Sequence, residues 1–372
     1  MDPSRRSVIG VGAKLFSVAL AIPGWQDIVG RMDAVQTGRT QRIGMPEVES
    51  VVAMTDCLGE LDDQFGGRYA RPMASAFMVN IVAPYLKVDA SNEVRKAMVT
   101  AASWLCYLTG WMAVDEGLHG TAQRYYVKGL EFAGASEDRS TYCHILRGMS
   151  VQSVDLGHGS TAVNWANAAS EASPADGPRM VAFMTGQQAH AYAVAGDRRN
   201  ALQSLRVAET AMSKAESRYV TFGGYTPATL AYRTAQVRYE LGDVSGSVDA
   251  LRLHFRLRHP QYSRTTGLRF NSLLAERQFQ LGHLDAACAT WTDVVDSYPS
   301  MHSDKVDRRI AEMFRLIRPH LKNPTARDLY ERARLAAPER SAWASRTAGC
   351  ALFVPLRGTG GHSPSGRAGR RP

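Results

Sequence analysis

One set of side chains at helical spacing could together grip a partner. It comprises Trp104 and Tyr107, His144 and Arg147, His190, Tyr232 with Gln236 and Tyr239, and Arg269 with Glu276. Aromatic, amide and charged groups are mixed, a composition suited to holding an extended peptide or a helix. Plainer roles stand beside that one. Trp104 and Tyr107 serve equally well as core, because aromatics at helical spacing usually pack inward. His144 and His190 serve equally as structural histidines whose nitrogens are satisfied.

Reactive chemistry finds no comparable footing. The ten His residues are scattered, and none has the i,i+4 or Cys/His spacing of a zinc site. Gly10-Val11-Gly12 lacks a third Gly and a preceding strand, so it is no dinucleotide fingerprint. There is neither a phosphate-cradling Walker loop nor a GxSxG elbow. The acidic pairs Asp62-Asp63 and Asp115-Glu116 read as solvated charges at helix ends. A function must be argued from a site, and no catalytic or cofactor site is visible, so the chain reads as a non-enzyme without cofactor or metal.

What must position the gripping set is a repeated helical hairpin. Gly110, Gly157, Gly196, Gly242 and Gly282 each follow a small residue by seven positions: Ser103, Ser150, Ala189, Ala235 and Ala275. After the last four, a second small residue comes five positions later, at Ala162, Ala201, Ser247 and Ala287. A small residue where two helices cross, a Gly at the turn and a small residue opening the second helix are the skeleton of a tetratricopeptide (TPR) hairpin. The expected fold is all-α: a right-handed tetratricopeptide-like solenoid of antiparallel helix pairs. The Gly-to-Gly spacings are 47, 39, 46 and 40. In the first hairpin, Trp111 to Gly120 reads as a lengthened turn. Counting back from each Gly places the gripping set on the concave side.

Before the hairpins, apolar stripes over Val48–Phe65 and Met73–Tyr85 predict a leading helix pair that caps the array, with Pro46 at a first helical position. Thr226 is placed to cap the fourth pair. Asp304–Leu321 and Asn323–Ala337 predict one more pair, with Asn323 as N-cap and Pro324 as first helical residue. The domains expected are an N-terminal segment and linker at 1–45, a helical repeat domain at 46–339 and a disordered basic tail at 340–372.

The net charge of +9 belongs to the ends. Residues 1–45 carry six basic and three acidic residues, and 340–372 carry six Arg and no acid. The repeat body holds 32 of each sign, which gives no electrostatic reason to grip phosphates. Sequence-specific nucleic-acid binding by the body is not expected. The five Cys (57, 106, 143, 288 and 350) are far apart and form no CxxC, and read as reduced thiols of a cytoplasmic protein. No stretch approaches the roughly 20 apolar residues of a membrane span. Arg5-Arg6 before a weakly apolar run, with Ala19-Leu20-Ala21 beyond, resembles a twin-arginine export signal, although Lys14 interrupts the run. Export is therefore the alternative compartment.

Three stretches carry a family resemblance: Leu61–Gly67 (LDDQFGG), Ala101–Gly120 with the following Ala122–Tyr126, and Arg147–Gln152. Together they resemble the TPR region of actinobacterial transcriptional regulators, over roughly residues 1–320. Such proteins commonly join an N-terminal helix-turn-helix domain to the repeats. This sequence starts where the linker would be, so the DNA-binding function is not carried over. The resemblance implies the sensory half of such a regulator, a module binding a protein or short peptide in its concave groove.

Overall fold

The computed structural model describes residues 42–174, 177–215, 225–258 and 263–337. The Arg5-Arg6 segment, Cys350, the basic tail at 340–372 and residues 222–224 lie outside the described residues.

The chain is an all-α solenoid of antiparallel helix pairs. Helices α1 (Met45–Phe65) and α2 (Gly67–Phe77) lead, and α2 runs on through a π-helical turn (Met78–Val82) and a further turn (Ala83–Tyr85). Five hairpins follow: α3 (Asn92–Asp115) with α4 (His119–Ala135), α5 (Arg139–Asp155) with α6 (Gly159–Ala172), α7 (Pro178–Val194) with α8 (Arg198–Ser213), α9 (Pro227–Glu240) with α10 (Val244–Leu257), and α11 (Arg264–Gln280) with α12 (Leu284–Ser297). The last helices, α13 (Asp304–Ile317) and α14 (Pro324–Ala336), stack mainly on α11 and α12 and meet each other through Phe314 and Tyr330.

Each hairpin turn is built the same way. Gly157, Gly196, Gly242 and Gly282 have φ between 75° and 85°, a region where a Cβ crowds the following carbonyl. At Gly157, the amides of Gly157 and His158 donate back to Val154 (2.9 Å) and Ser153 (2.8 Å), closing the carbonyls at the end of α5. This is the Schellman arrangement, and it recurs at the other three.

The first hairpin corrects the register expected for it. Gly110 is not a turn but a helical residue inside α3. The turn residue is Gly117, with φ +73° and the same pair of back-bonds. Gly110 is then the small residue seven positions before the turn, and Ala122 the one five after it. A Cβ on Gly110 would meet the Tyr126 ring at 2.7 Å, so the residue is small because the partner helix leaves no room. The turn-to-turn spacings become 40, 39, 46 and 40. Between α4 and α5 the same turn is made by Glu137, a non-Gly residue at φ 56°.

The small residues sit at the crossings as expected. Ser150, Ala162, Ala189, Ala201, Ala235, Ser247, Ala275 and Ala287 are all fully buried. Where one of the pair is Ser, its hydroxyl donates to the other's carbonyl: Ser150 to Ala162 at 2.8 Å and Ser247 to Ala235 at 2.6 Å. Thr226 and Asn323 cap α9 and α14 as expected, accepting from Thr229 (3.3 Å) and Ala326 (3.1 Å). Helix α3 does have the length and apolarity of a membrane span, contrary to expectation. Most of its apolar window is buried between α1, α2 and α4, which accounts for the composition.

The array curls until its end meets its beginning. Helix α11 packs on α1, and Thr265 Oγ1 donates to the Asp62 and Asp63 carbonyls, both at 3.1 Å. The backbone of His302 bonds Phe65 (2.7 Å) and Arg68 (3.1 Å) across the break between α1 and α2. Gly66, at φ +94°, has no room for a Cβ, which would lie 2.6 Å from the His302 carbonyl oxygen. The leading pair is therefore half of a clasp and not a free cap. The acidic pairs belong to it. Asp62 and Asp115 are buried at 9% exposure and Glu116 binds Arg71, so these three are not solvated charges, while Asp63 is exposed as expected.

Candidate functional site: the interior of the closed array

Because the ends meet, the concave side of the solenoid is partly enclosed. It holds a chamber of about 330 Å³, open to solvent, lined by His119 and Asp155 from the first two hairpins, Tyr232 and Gln236 from α9, Arg269 and Leu273 from α11, and Lys305, Arg308, Arg309 and Glu312 from α13. Elements almost 200 residues apart converge there.

The expected gripping residues divide among four surroundings. Tyr232, Gln236 and Arg269 line the chamber. Tyr232 also stacks on Phe270 at 3.5 Å between ring centroids, so its ring is core while its hydroxyl meets Arg269 at 3.4 Å. Tyr107, His144, Arg147 and His190 lie deeper. His144 is buried, donates from Nδ1 to the Ser140 carbonyl at 2.9 Å, and packs against Trp104, Tyr107 and Phe183. Trp104 stacks on Tyr107 at 4.8 Å and opens instead onto a separate groove between α1, α3 and the start of α5, about 540 Å³ in volume. Tyr239 and Glu276 have protein partners. The Tyr239 hydroxyl accepts from Gln280 at 2.9 Å, and Arg277 lies 4.3 Å over its ring. Glu276 pairs with Arg309 at 2.8 Å.

The misplaced turn did not misplace the face. The error at Gly110 is seven residues, nearly two whole turns, which rotates a helix by only about 20°. Trp104 and Tyr107 thus hold the positions that His144 and Arg147 occupy in the next hairpin, although Trp104 opens onto the groove beside α1. The corrected count adds Trp111, with Lys305 Nζ 5.5 Å over its ring.

Gln236 does not point into open space. Its Oε1 accepts from Arg277, which is itself buried and also donates to Ser247 Oγ at 2.7 Å. Burial pushes the Arg277 guanidinium down to about 10, so it stays charged at neutral pH.

The chamber is a field of paired charges. Lys305 Nζ meets Asp155 at 2.6 Å, joining α13 to α5 across 150 positions. Burial works to raise the Asp155 carboxyl, but Lys305 and Arg269 outweigh it and hold it below the usual carboxylate range. The carboxylate nevertheless keeps 36% of its surface open, because the space it faces is the hollow centre. Burial, together with Arg308 and Lys305, keeps His119 below the usual imidazole range and so neutral. Burial raises Glu276, and Arg309 only partly offsets this.

Asp155, Lys305, Arg308, Arg233 and Arg277 were not among the residues singled out from the sequence. Asp155 sits two positions before a turn Gly, where a polar residue is ordinary. Lys305 belongs to the terminal pair, for which no groove position can be counted.

No protein-family model matches the chain, and no curated protein matches it. Among solved structures it is similar to the one described as the "P58(IPK) TPR Domain", with 16% identity, 81% of this chain and 92% of that chain covered, and a TM-score of 0.20.

Proposed function

We propose that the protein is a non-catalytic TPR-type binding module whose interior face takes a short segment of a partner protein or a short peptide, and that it serves as a regulatory or sensory protein. The observation that carries this reading is the convergence of Tyr232, Gln236, Arg269, Lys305 and Arg308 on one hollow. A space of this size holds one or two side chains and not a whole helix. A longer peptide would need the clasp between 302–307 and α1–α3 to part. The regulator-like role rests on the resemblance in sequence to the sensory half of such proteins. Cys106 and Cys288 are buried free thiols, which favours a reducing compartment such as the cytoplasm.

The test is an affinity capture with the full chain against the same chain carrying Arg269→Ala and Arg308→Ala. Tyr232 is left intact because truncating a ring stacked on Phe270 would damage the core. Partners retained by the parent and lost by the variant, with melting curves unchanged, are expected. Equal recovery of the same partners would remove the interior from consideration.

A further inference from the structure

We propose that Arg147 and Arg233 form a site for a dianionic oxyanion, a phosphate group, held inside the array beside the chamber. The inference stands apart from the partner reading and asks only how two buried charges are accommodated.

Both guanidinium side chains are 6% exposed, Arg147 on α5 and Arg233 on α9. A buried cation without a compensating charge is strongly destabilising, so buried cations are ordinarily paired. This molecule follows that rule elsewhere: Lys305 has Asp155 and Arg309 has Glu276. Arg277 has no acid either, but Ser247, Gln236 and the Tyr239 ring surround it. Arg147 has much less. Its guanidinium lies 3.9 Å over the Phe183 ring, and Nε has no acceptor. Arg233 makes one bond, from Nη1 to His190 Nδ1 at 2.8 Å, and its Nε also lacks an acceptor. Among the described residues, no carboxylate forms an ion pair with either.

The groups around the pair are donors too. Tyr225 is 1% exposed, feels both guanidinium charges, and its hydroxyl has no partner. Gly186 allows that hydroxyl its place, since a Cβ there would come within 2.4 Å of it. His190 must accept at Nδ1 from Arg233, which puts its proton on Nε2 and makes that nitrogen a donor. Burial and the Arg233 charge hold His190 far below the usual imidazole range, so the ring adds no charge. The acid that acts on His190 is Asp155, and Lys305 already holds it. Burial, then the charge of Arg233, pushes Arg147 down to about 10. Arg147 and Tyr225 pack on the same Phe183 ring, at 3.9 and 5.3 Å, and a Cβ on Gly186 would meet both the Tyr225 hydroxyl and Arg233 Cγ, so the two arginines share one neighbourhood, and both are charged at neutral pH.

What would satisfy this group is an acceptor of charge −2 with several oxygens. A carboxylate balances one guanidinium. A phosphate dianion balances both and accepts the forked N–H pairs of each, along with the Tyr225 hydroxyl.

The test is calorimetric titration of the full chain with inorganic phosphate and, separately, with phenyl phosphate, in chloride buffer at matched ionic strength. Saturable one-to-one binding of at least one of them is expected, with no effect of added chloride. Binding of both points to the free ion as a sufficient ligand. Binding of phenyl phosphate alone points to a phosphate monoester. Arg147→Gln and Arg233→Gln should each weaken binding at least tenfold, while Arg332→Gln on the outer face should not change it. Should either variant fail to fold, phosphorus-31 line broadening on the parent protein, with Arg147→Lys for comparison, decides the same point. Absence of binding for both probes, or undiminished affinity in the two Gln variants, would overturn the proposal.

Discussion

The Ser303 hydroxyl donates to the Asp115 carboxylate at 2.7 Å, tying together positions 188 residues apart. The other Asp115 oxygen accepts the Gly67 amide at 3.1 Å. One side chain thus joins the end of α3, the start of α2 and the start of α13. Asp115→Ala removes the acceptor for two buried donors. We expect a loss of roughly 2–4 kcal/mol in urea unfolding and a larger radius of gyration by X-ray scattering. An unchanged radius with unchanged stability would show that the closure does not depend on this residue.

Asp62 lies beside Asp115 in the same clasp. Burial first, and then the Asp115 charge, raises its carboxyl well above the usual range. The native state therefore keeps a proton that the unfolded chain loses near pH ~3.9. Stability falls as pH rises from there through the folded value, and the full penalty is present above it. Asp62→Asn should raise Tm at pH 7.5, with the gain shrinking steadily as pH is lowered towards 4. A gain independent of pH would mean that charge is not the cause.

The hairpin crossings tolerate no added bulk. Ala235 is fully buried with its carbonyl bonded by Ser247, so Ala235→Leu should cost roughly 1–3 kcal/mol or more. Arg238→Leu, on an exposed face of the same helix, should change stability by no more than about 0.5 kcal/mol. Hydrogen exchange should locate the damage from Ala235→Leu in the third to fifth hairpins, because repeats couple mainly to neighbours. Equal protection in the two variants would displace the whole register.

Gly110 and Gly157 are small for different reasons. Gly110→Ala meets the Tyr126 ring and should cost about 1–3 kcal/mol through overpacking. Gly157→Ala has open space and should cost only the left-handed backbone, roughly 1–2 kcal/mol. Tyr126→Leu in the same chain should rescue the first and not the second. Failure of that rescue would return Gly110 to the role of a turn residue.

Charge distribution makes a prediction about DNA. With 32 residues of each sign in the repeat body, any affinity of the full chain should come from its basic ends. It should be non-specific and weaken steeply with salt. A footprint on a defined operator would contradict this.

The sequence by itself determined the hairpins, because everything that makes one lies within a dozen residues. A turn Gly, its flanking small pair and caps such as Thr226 and Asn323 act through local sterics and local hydrogen bonds. Even with the mistaken turn at Gly110, seven residues restore the helical phase, so Trp104 and Tyr107 keep the positions that His144 and Arg147 hold in the next hairpin. Only the tertiary structure decided what that face encloses. Each hairpin adds a small rotation, and the summed curvature, not any one residue, brings His302 and Ser303 onto Phe65 and Asp115. Ion pairs such as Lys305 with Asp155 follow from that closure and have no periodic signal. The same closure buried Asp62, and the stacking of neighbouring hairpins engaged Gln236 with Arg277. A charge reads as solvated or buried only once the distant surface that covers it is in place.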